Sequence, residues 1–105
     1  MIDLQLEHDA EYGAKRLDEE KPGWALRIDA DKLDMRHAGL CMLGQLYGRF
    51  KDGMEALALG RTAMAGATYG FNIDPDRTDM TAEQQYVLLT LIWKKLIRAR
   101  LKTTA

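Results

Sequence analysis

The sequence predicts a mainly α-helical fold, a compact bundle of about five helices forming one domain over residues 1–105. Apolar residues recur at three- and four-residue spacing in several segments, which is typical of amphipathic helices. Glycine and proline separate these segments, and 105 residues with 47% hydrophobic content suffice for one core. A short N-terminal strand is the alternative at residues 1–7, where Ile2, Leu4 and Leu6 alternate with polar residues.

The first helix is predicted from about residue 8 to residue 20, with acidic residues near its start. Pro22-Gly23 should end it, because proline cannot continue a helix and glycine permits a turn. Residues 24–28 could form a further short helix, since Trp24 and Ile28 stand four apart. Residues 29–34 read as a polar loop interrupted by one apolar residue.

The next helix is predicted to start at a capping Asp34 and to run to about Gly48. Gly44 lies on its apolar face, and a glycine within a helix usually marks close packing against another element. The following string RFKDG is predicted to be a loop, with Phe50 as its anchor.

A further helical face begins at Met54, is interrupted at Gly60 and resumes at Met64. Gly70 should form a left-handed helix cap, with Phe71 folding back onto the last turn. Residues 72–80 then form a loop.

The final helix is predicted from Ala82 to about Leu101, with Thr81 and Gln84 as a capping box at its start. Projected at 100° per residue, one side of this helix should face the core. That side carries Tyr86, Leu89, Trp93, Leu96 and Ile97.

Three further apolar residues, Val87, Leu88 and Leu91, fall on other sides of the same helix. A helix that is apolar all round is normally buried on every side. The final helix is therefore either the central helix of the bundle, or these three residues contact a second chain. We expect Leu88 and Leu91 to be buried within the single chain.

Charge is unevenly distributed along the sequence. Residues 1–55 carry 12 acidic against 8 basic side chains, and residues 56–105 carry 4 against 7. A basic stripe on the final helix could contact nucleic-acid phosphates, although no exposed aromatic residues are interleaved for stacking on bases. The stripe consists of Lys94, Lys95, Arg98 and Lys102. A solvated helix end is the plainer interpretation of the same residues.

His37 and Cys41 stand four apart, so on one helix they would present an imidazole and a thiol from adjacent turns. Two ligands do not make a zinc site, and a cysteine–histidine nucleophile needs more than this spacing. Neither phosphate-binding glycine motif occurs. We therefore expect no catalytic residue, no metal and no cofactor.

The sequence also bears on cellular location. Cys41 is the sole cysteine, so no intrachain disulfide can form. The string MIDLQLEHDAEYG carries acids where a secretory signal has a basic start and an apolar run. The longest apolar stretch, Val87–Trp93, is far shorter than the roughly 20 residues of a membrane span. We expect a cytoplasmic protein without a membrane partner.

Four strings resemble, as a set and in their order, a family of small uncharacterised proteins encoded by phages of actinobacteria. They are LDEEKPGW (Leu17–Trp24), RIDADKLDM (Arg27–Met35), CMLGQLYGRF (Cys41–Phe50) and YGFN (Tyr69–Asn72). The family has no assigned activity, cofactor or catalytic residue. Its members often show a second cysteine shortly before the position of Cys41, which this chain lacks. The resemblance implies an accessory protein made in the cytoplasm of an infected bacterium.

The surplus apolar residues and the lack of a catalytic pattern favour a protein-binding module without catalytic activity. Its partner would be a host protein, a phage protein or a second copy of the chain. Binding of nucleic acid through the basic stripe is the alternative function.

Overall fold

The computed structural model describes residues 3–60 and 62–104, which fold into five α-helices and no strand. This confirms the predicted bundle of about five helices. The helices are α1 (Leu4–Glu20), α2 (Met42–Tyr47), α3 (Phe50–Ala56), α4 (Ala63–Thr68) and α5 (Ala82–Thr104), and a 3-10 helix covers Trp24–Arg27. The long helices α1 and α5 pack on each other, and α2 pairs with α3. The 3-10 helix packs on α5 and α2, while α4 packs on α1.

The chain enters α1 earlier than predicted, and the alternative of an N-terminal strand is wrong for residues 4–7. Asp3 caps the helix, because its carboxylate accepts a hydrogen bond from the Leu6 amide at 2.9 Å. Helical spacing also buries Leu6, Ala10 and Leu17 on one face. Met1 and Ile2, which belong to the same prediction, lie outside the described residues.

The end of α1 agrees with the sequence. Gly23 adopts a left-handed conformation with φ of 81°, and Trp24 opens the 3-10 helix that was expected there. The Trp24 indole is buried and donates a hydrogen bond from Nε1 to Asp18 at 2.8 Å. The turn thus returns an aromatic ring to the core beside the helix that it leaves.

The helix predicted from Asp34 to Gly48 is much shorter, since α2 begins only at Met42 and its cap is Cys41. The Ala38 carbonyl accepts a hydrogen bond from the Phe50 amide at 2.9 Å, a contact outside any helix. Gly44 packs directly against that Ala38 carbonyl, which leaves no space for a Cβ atom. The close approach expected at Gly44 is confirmed, while the start at Asp34 is wrong.

The loop predicted for RFKDG is also wrong, because Phe50 opens α3. Its ring is partly buried and packs against the core, as expected of an anchor. The predicted interruption at Gly60 lies between α3 and α4. Gly70 has φ of 68°, and the Phe71 amide returns to the Gly66 carbonyl at 2.9 Å, which confirms the predicted cap.

The core is organised around Trp93 of α5. Its ring stacks on Phe71 with centroids 5.5 Å apart and meets Trp24 edge-on at 5.7 Å. Its Nε1 donates a hydrogen bond to the Gly70 carbonyl at 2.7 Å, so the buried indole has a polar partner. Leu89 and Ile97 are buried on the same side of α5. The core-facing side predicted for this helix is confirmed.

Candidate functional site

The outward side of α5 carries an exposed apolar surface in its first half. Val87 is 53% exposed and Leu91 is 56% exposed, whereas Leu88 is partly buried and packs against the core. The expectation that Leu91 is buried is therefore wrong. The reason is that α5 packs on α1 and the 3-10 helix, and no described element covers its opposite side. We call Val87, Leu88 and Leu91 the α5 ridge.

An open groove runs along each side of the α5 ridge. The first has a volume of about 560 Å³ and is lined by Asp79, Met80, Glu83, Gln84, Val87 and Leu88. The second has a volume of about 440 Å³ and lies between α5 and residues 31–40. A ridge between two grooves can interlock with side chains of another protein, since such contacts exclude water on both sides.

Polar contacts fix the position of the segment that forms one side of the first groove. The amide of Gln85, which is 1% exposed, accepts a hydrogen bond from the Asp74 amide and donates one to the Asp74 carbonyl, both at 3.0 Å. Arg77 donates a hydrogen bond to the Asp3 carboxylate at 2.8 Å and another to the Asp79 carboxylate. The segment that carries Asp79 and Met80 is thus tied both to α5 and to the start of α1.

Arg77 determines the direction in which the pKa values of its two carboxylate partners are shifted. Its hydrogen bonds lower the pKa of Asp3 and of Asp79, and the two carboxylates raise the pKa of the guanidinium. Asp79 therefore stays ionised at the groove rim. Asp3 stays ionised at the helix cap.

The second groove is bounded by a loop that the sequence did not mark as functional. The Met35 amide donates to the Thr90 hydroxyl at 3.0 Å, and that hydroxyl donates to the Tyr86 carbonyl at 2.8 Å. Leu33 and Met35 are buried beneath the loop. The only sequence signal was the apolar residue Leu33 within an otherwise polar stretch.

Charges of opposite sign stand at the two ends of the outward side of α5. Glu83 lies near its start, and its carboxylate pairs with Arg36 at 3.3 Å across an exposed surface. The predicted basic stripe follows the ridge. Lys95, Arg98 and Lys102 are exposed and Lys94 is half-buried. Lys95 also pairs with Glu7 at 3.6 Å.

His37 and Cys41 do not form the joint site that their spacing would allow on one helix. His37 is exposed in a turn, and its Nδ1 accepts a hydrogen bond from the Gly39 amide at 3.0 Å. Cys41 is buried, and burial raises the pKa of its thiol. Among the described residues, no three His, Cys, Asp or Glu side chains are grouped as ligands for a metal ion.

Compared with known proteins, the chain matches no family model, no curated protein and no solved structure. Across the described residues, no helix combines the length and the apolar character needed to cross a membrane.

Proposed function

We propose that this protein is a binding module that docks on another protein through the α5 ridge. The observation that supports this proposal is the exposure of Val87 and Leu91 on adjacent turns, between two open grooves. Covering such apolar side chains by a partner removes them from water, which is the main driving force of association. The rims carry charges that can select the partner.

The resemblance to proteins of actinobacterial phages supports a proposal about the biological setting of this module. On that basis the protein is an accessory factor in the cytoplasm of an infected bacterium, and its partner is a host protein, a phage protein or a second copy. No catalytic step is part of the proposal. The protein would act on its partner by binding alone.

Affinity capture with a ridge variant tests the proposal. The tagged wild type should retain a protein from actinobacterial lysate or an untagged copy of the same chain. The variant Val87→Asp plus Leu91→Asp should abolish this retention. Leu26→Asp is the matched control, since Leu26 is 70% exposed and lies on the 3-10 helix, outside the α5 ridge. Equal retention by the ridge variant, or a strictly monomeric wild type that retains nothing, would contradict the proposal.

Nucleic-acid binding is a second candidate, supported by the exposure of Lys95, Arg98 and Lys102 on one helix. Phosphate contacts weaken linearly in log salt. A mobility assay at low salt should show binding that is lost when all three are changed to glutamine. The control replaces three exposed lysines elsewhere, Lys15, Lys32 and Lys51, with glutamine. Equal binding by both variants would remove α5 from consideration.

A further inference from the structure

We propose that the α5 ridge is occupied by a second copy of this chain. The α5 helices of the two copies pack antiparallel to each other and are related by a two-fold axis. This inference rests on the proposed function and names the partner of the same site. It follows from the order of apolar and charged residues along the outward side of the helix.

The outward side forms a stripe with alternating three- and four-residue steps. Its members in order are Gln84, Val87, Leu91, Lys94 and Arg98. This spacing is the one that lets two helices pack side by side along their length. Val87 and Leu91 stand at the centre of the stripe, where burial in a helix pair is greatest. In an antiparallel pair, Val87 of each copy lies opposite Leu91 of the other.

This register also brings opposite charges together. Residues 87 and 91 have their midpoint beside Leu89, and residues 83 and 94 have almost the same midpoint. Glu83 therefore comes level with Lys94 of the second copy. The acidic start of one α5 therefore faces the basic end of the other. Two-fold symmetry repeats each contact.

The contacts within one chain do not compete strongly with this arrangement. Glu83 pairs with Arg36, and the two side chains are 70% and 57% exposed. Exposed ion pairs contribute little and are screened by salt. Along the outward side, α5 is acidic at its start, apolar in the middle and basic further on. A second α5 running in the opposite direction presents a basic, an apolar and an acidic part to these three parts in turn. A second copy therefore meets both the apolar and the charge requirements.

Sedimentation equilibrium of the full chain tests the proposal. The wild type should form a dimer whose dissociation constant rises with salt. Glu83→Lys should weaken the dimer about tenfold, as should Lys94→Glu, because each creates two like-charge contacts. The double variant Glu83→Lys plus Lys94→Glu should restore wild-type affinity in the antiparallel register only. The control is Lys15→Glu plus Glu55→Lys, since both residues are exposed and lie outside α5.

The outcomes separate this inference from the proposed function. A wild type that stays monomeric at all attainable concentrations overturns self-pairing, yet ridge-dependent capture of a different protein would still support the binding module. A dimer insensitive to Val87→Asp plus Leu91→Asp overturns both. A ridge-dependent dimer that the double charge variant fails to restore overturns the antiparallel pairing. Thermal melts of every variant verify that folding is retained.

Discussion

Cys41 occupies a capping position that is more often held by an oxygen-bearing side chain. Its Sγ accepts a hydrogen bond from the Gly44 amide at 3.3 Å and donates one to the Ala38 carbonyl at 3.6 Å. Burial is the largest influence on this thiol and raises its pKa. The hydrogen bond from the Gly44 amide lowers the pKa, but burial outweighs it and keeps the sulfur in its protonated, unreactive form.

We expect a thiol reagent to modify Cys41 only as fast as the fold opens. Labelling should be slow in buffer and should accelerate sharply in denaturant, as followed by mass spectrometry. The reference is Lys51→Cys in a Cys41→Ser background, because residue 51 is exposed. Native Cys41 reacting as fast as this reference would show that the thiol is accessible.

Two aspartates link stability to acid pH. Hydrogen bonds from Arg77 lower the pKa of Asp3, and those from Arg100 lower the pKa of Asp18. A carboxylate whose pKa is lowered in the folded state stabilises that state at pH values above the pKa of the unfolded chain, which is near 3.8 for aspartate. This stabilisation is lost as the pH falls through the folded pKa. Asp9 acts in the opposite direction, since burial raises its pKa.

We expect the free energy of unfolding to fall as the pH drops below about 4. Asp3→Asn should flatten this dependence, because asparagine can still cap α1 but does not ionise. Urea titrations at a series of pH values measure both curves. Asp31→Asn, at an exposed residue, is the control and should keep the wild-type slope. Parallel curves for wild type and Asp3→Asn would contradict the role given to Arg77.

At the scale of elements, α5 combines two different faces. Leu89 is fully buried beside Trp93, while Leu91, two residues later, is 56% exposed. Leu89→Ala should destabilise the fold by about 2–5 kcal/mol, because it leaves a cavity. Leu91→Ala should cost less than about 0.5 kcal/mol. Thermal and urea unfolding of the two variants make the comparison.

The double variant Leu88→Ala plus Leu91→Ala separates core from contact surface. Leu88 is partly buried, so some destabilisation is expected from that change alone. The larger effect should be weaker association, measured by sedimentation. A collapse in melting temperature from Leu91→Ala alone, in a monomeric wild type, would rule out the ridge as an interface.

The start of α5 depends on its capping box. The Thr81 hydroxyl accepts a hydrogen bond from the Gln84 amide at 3.1 Å, and the Gln84 side chain accepts one from the Thr81 amide at 2.9 Å. Thr81→Ala should cost about 1 kcal/mol, because an amide loses its partner. Thr81→Ser should retain most of the stability, since its hydroxyl can accept the same bond. Equal losses in both variants would show that the methyl group, not the cap, matters.

At the scale of the whole molecule, both tryptophans lie in one core. Trp93 contacts Phe71 and Trp24, and Arg100 of α5 reaches back to Asp18 of α1 at 2.9 Å. Elements from both ends of the chain thus share contacts. We expect one cooperative unfolding transition.

Tryptophan fluorescence and far-ultraviolet circular dichroism should give coincident denaturation curves. Fluorescence reports the packing around the two indoles, while circular dichroism reports all helices. Separate midpoints would show that residues 1–105 do not unfold as one domain. Dilution should leave the agreement intact unless dimer dissociation precedes unfolding.

Local signals in the sequence were sufficient to predict the helical fold class and the end of α1 at Pro22-Gly23. They were also sufficient to predict the cap of α5 and the side of α5 that faces the core. Each of these depends on residues only a few positions apart, so the interactions are readable from spacing. The residues of the α5 ridge were also identified from spacing alone. Their exposure was not, because it depends on what the rest of the chain covers.

Only the tertiary structure decided the remainder. α2 starts at Met42, not after the local capping signal at Asp34, and the Ala38 carbonyl before it binds the distant Phe50 amide. The second groove exists because the Met35 amide reaches Thr90, and α1 begins at Leu4 beside an Asp3 held by Arg77. These contacts join residues 12 to 74 positions apart. Their formation depends on the packing of the whole bundle, which no short stretch of sequence encodes.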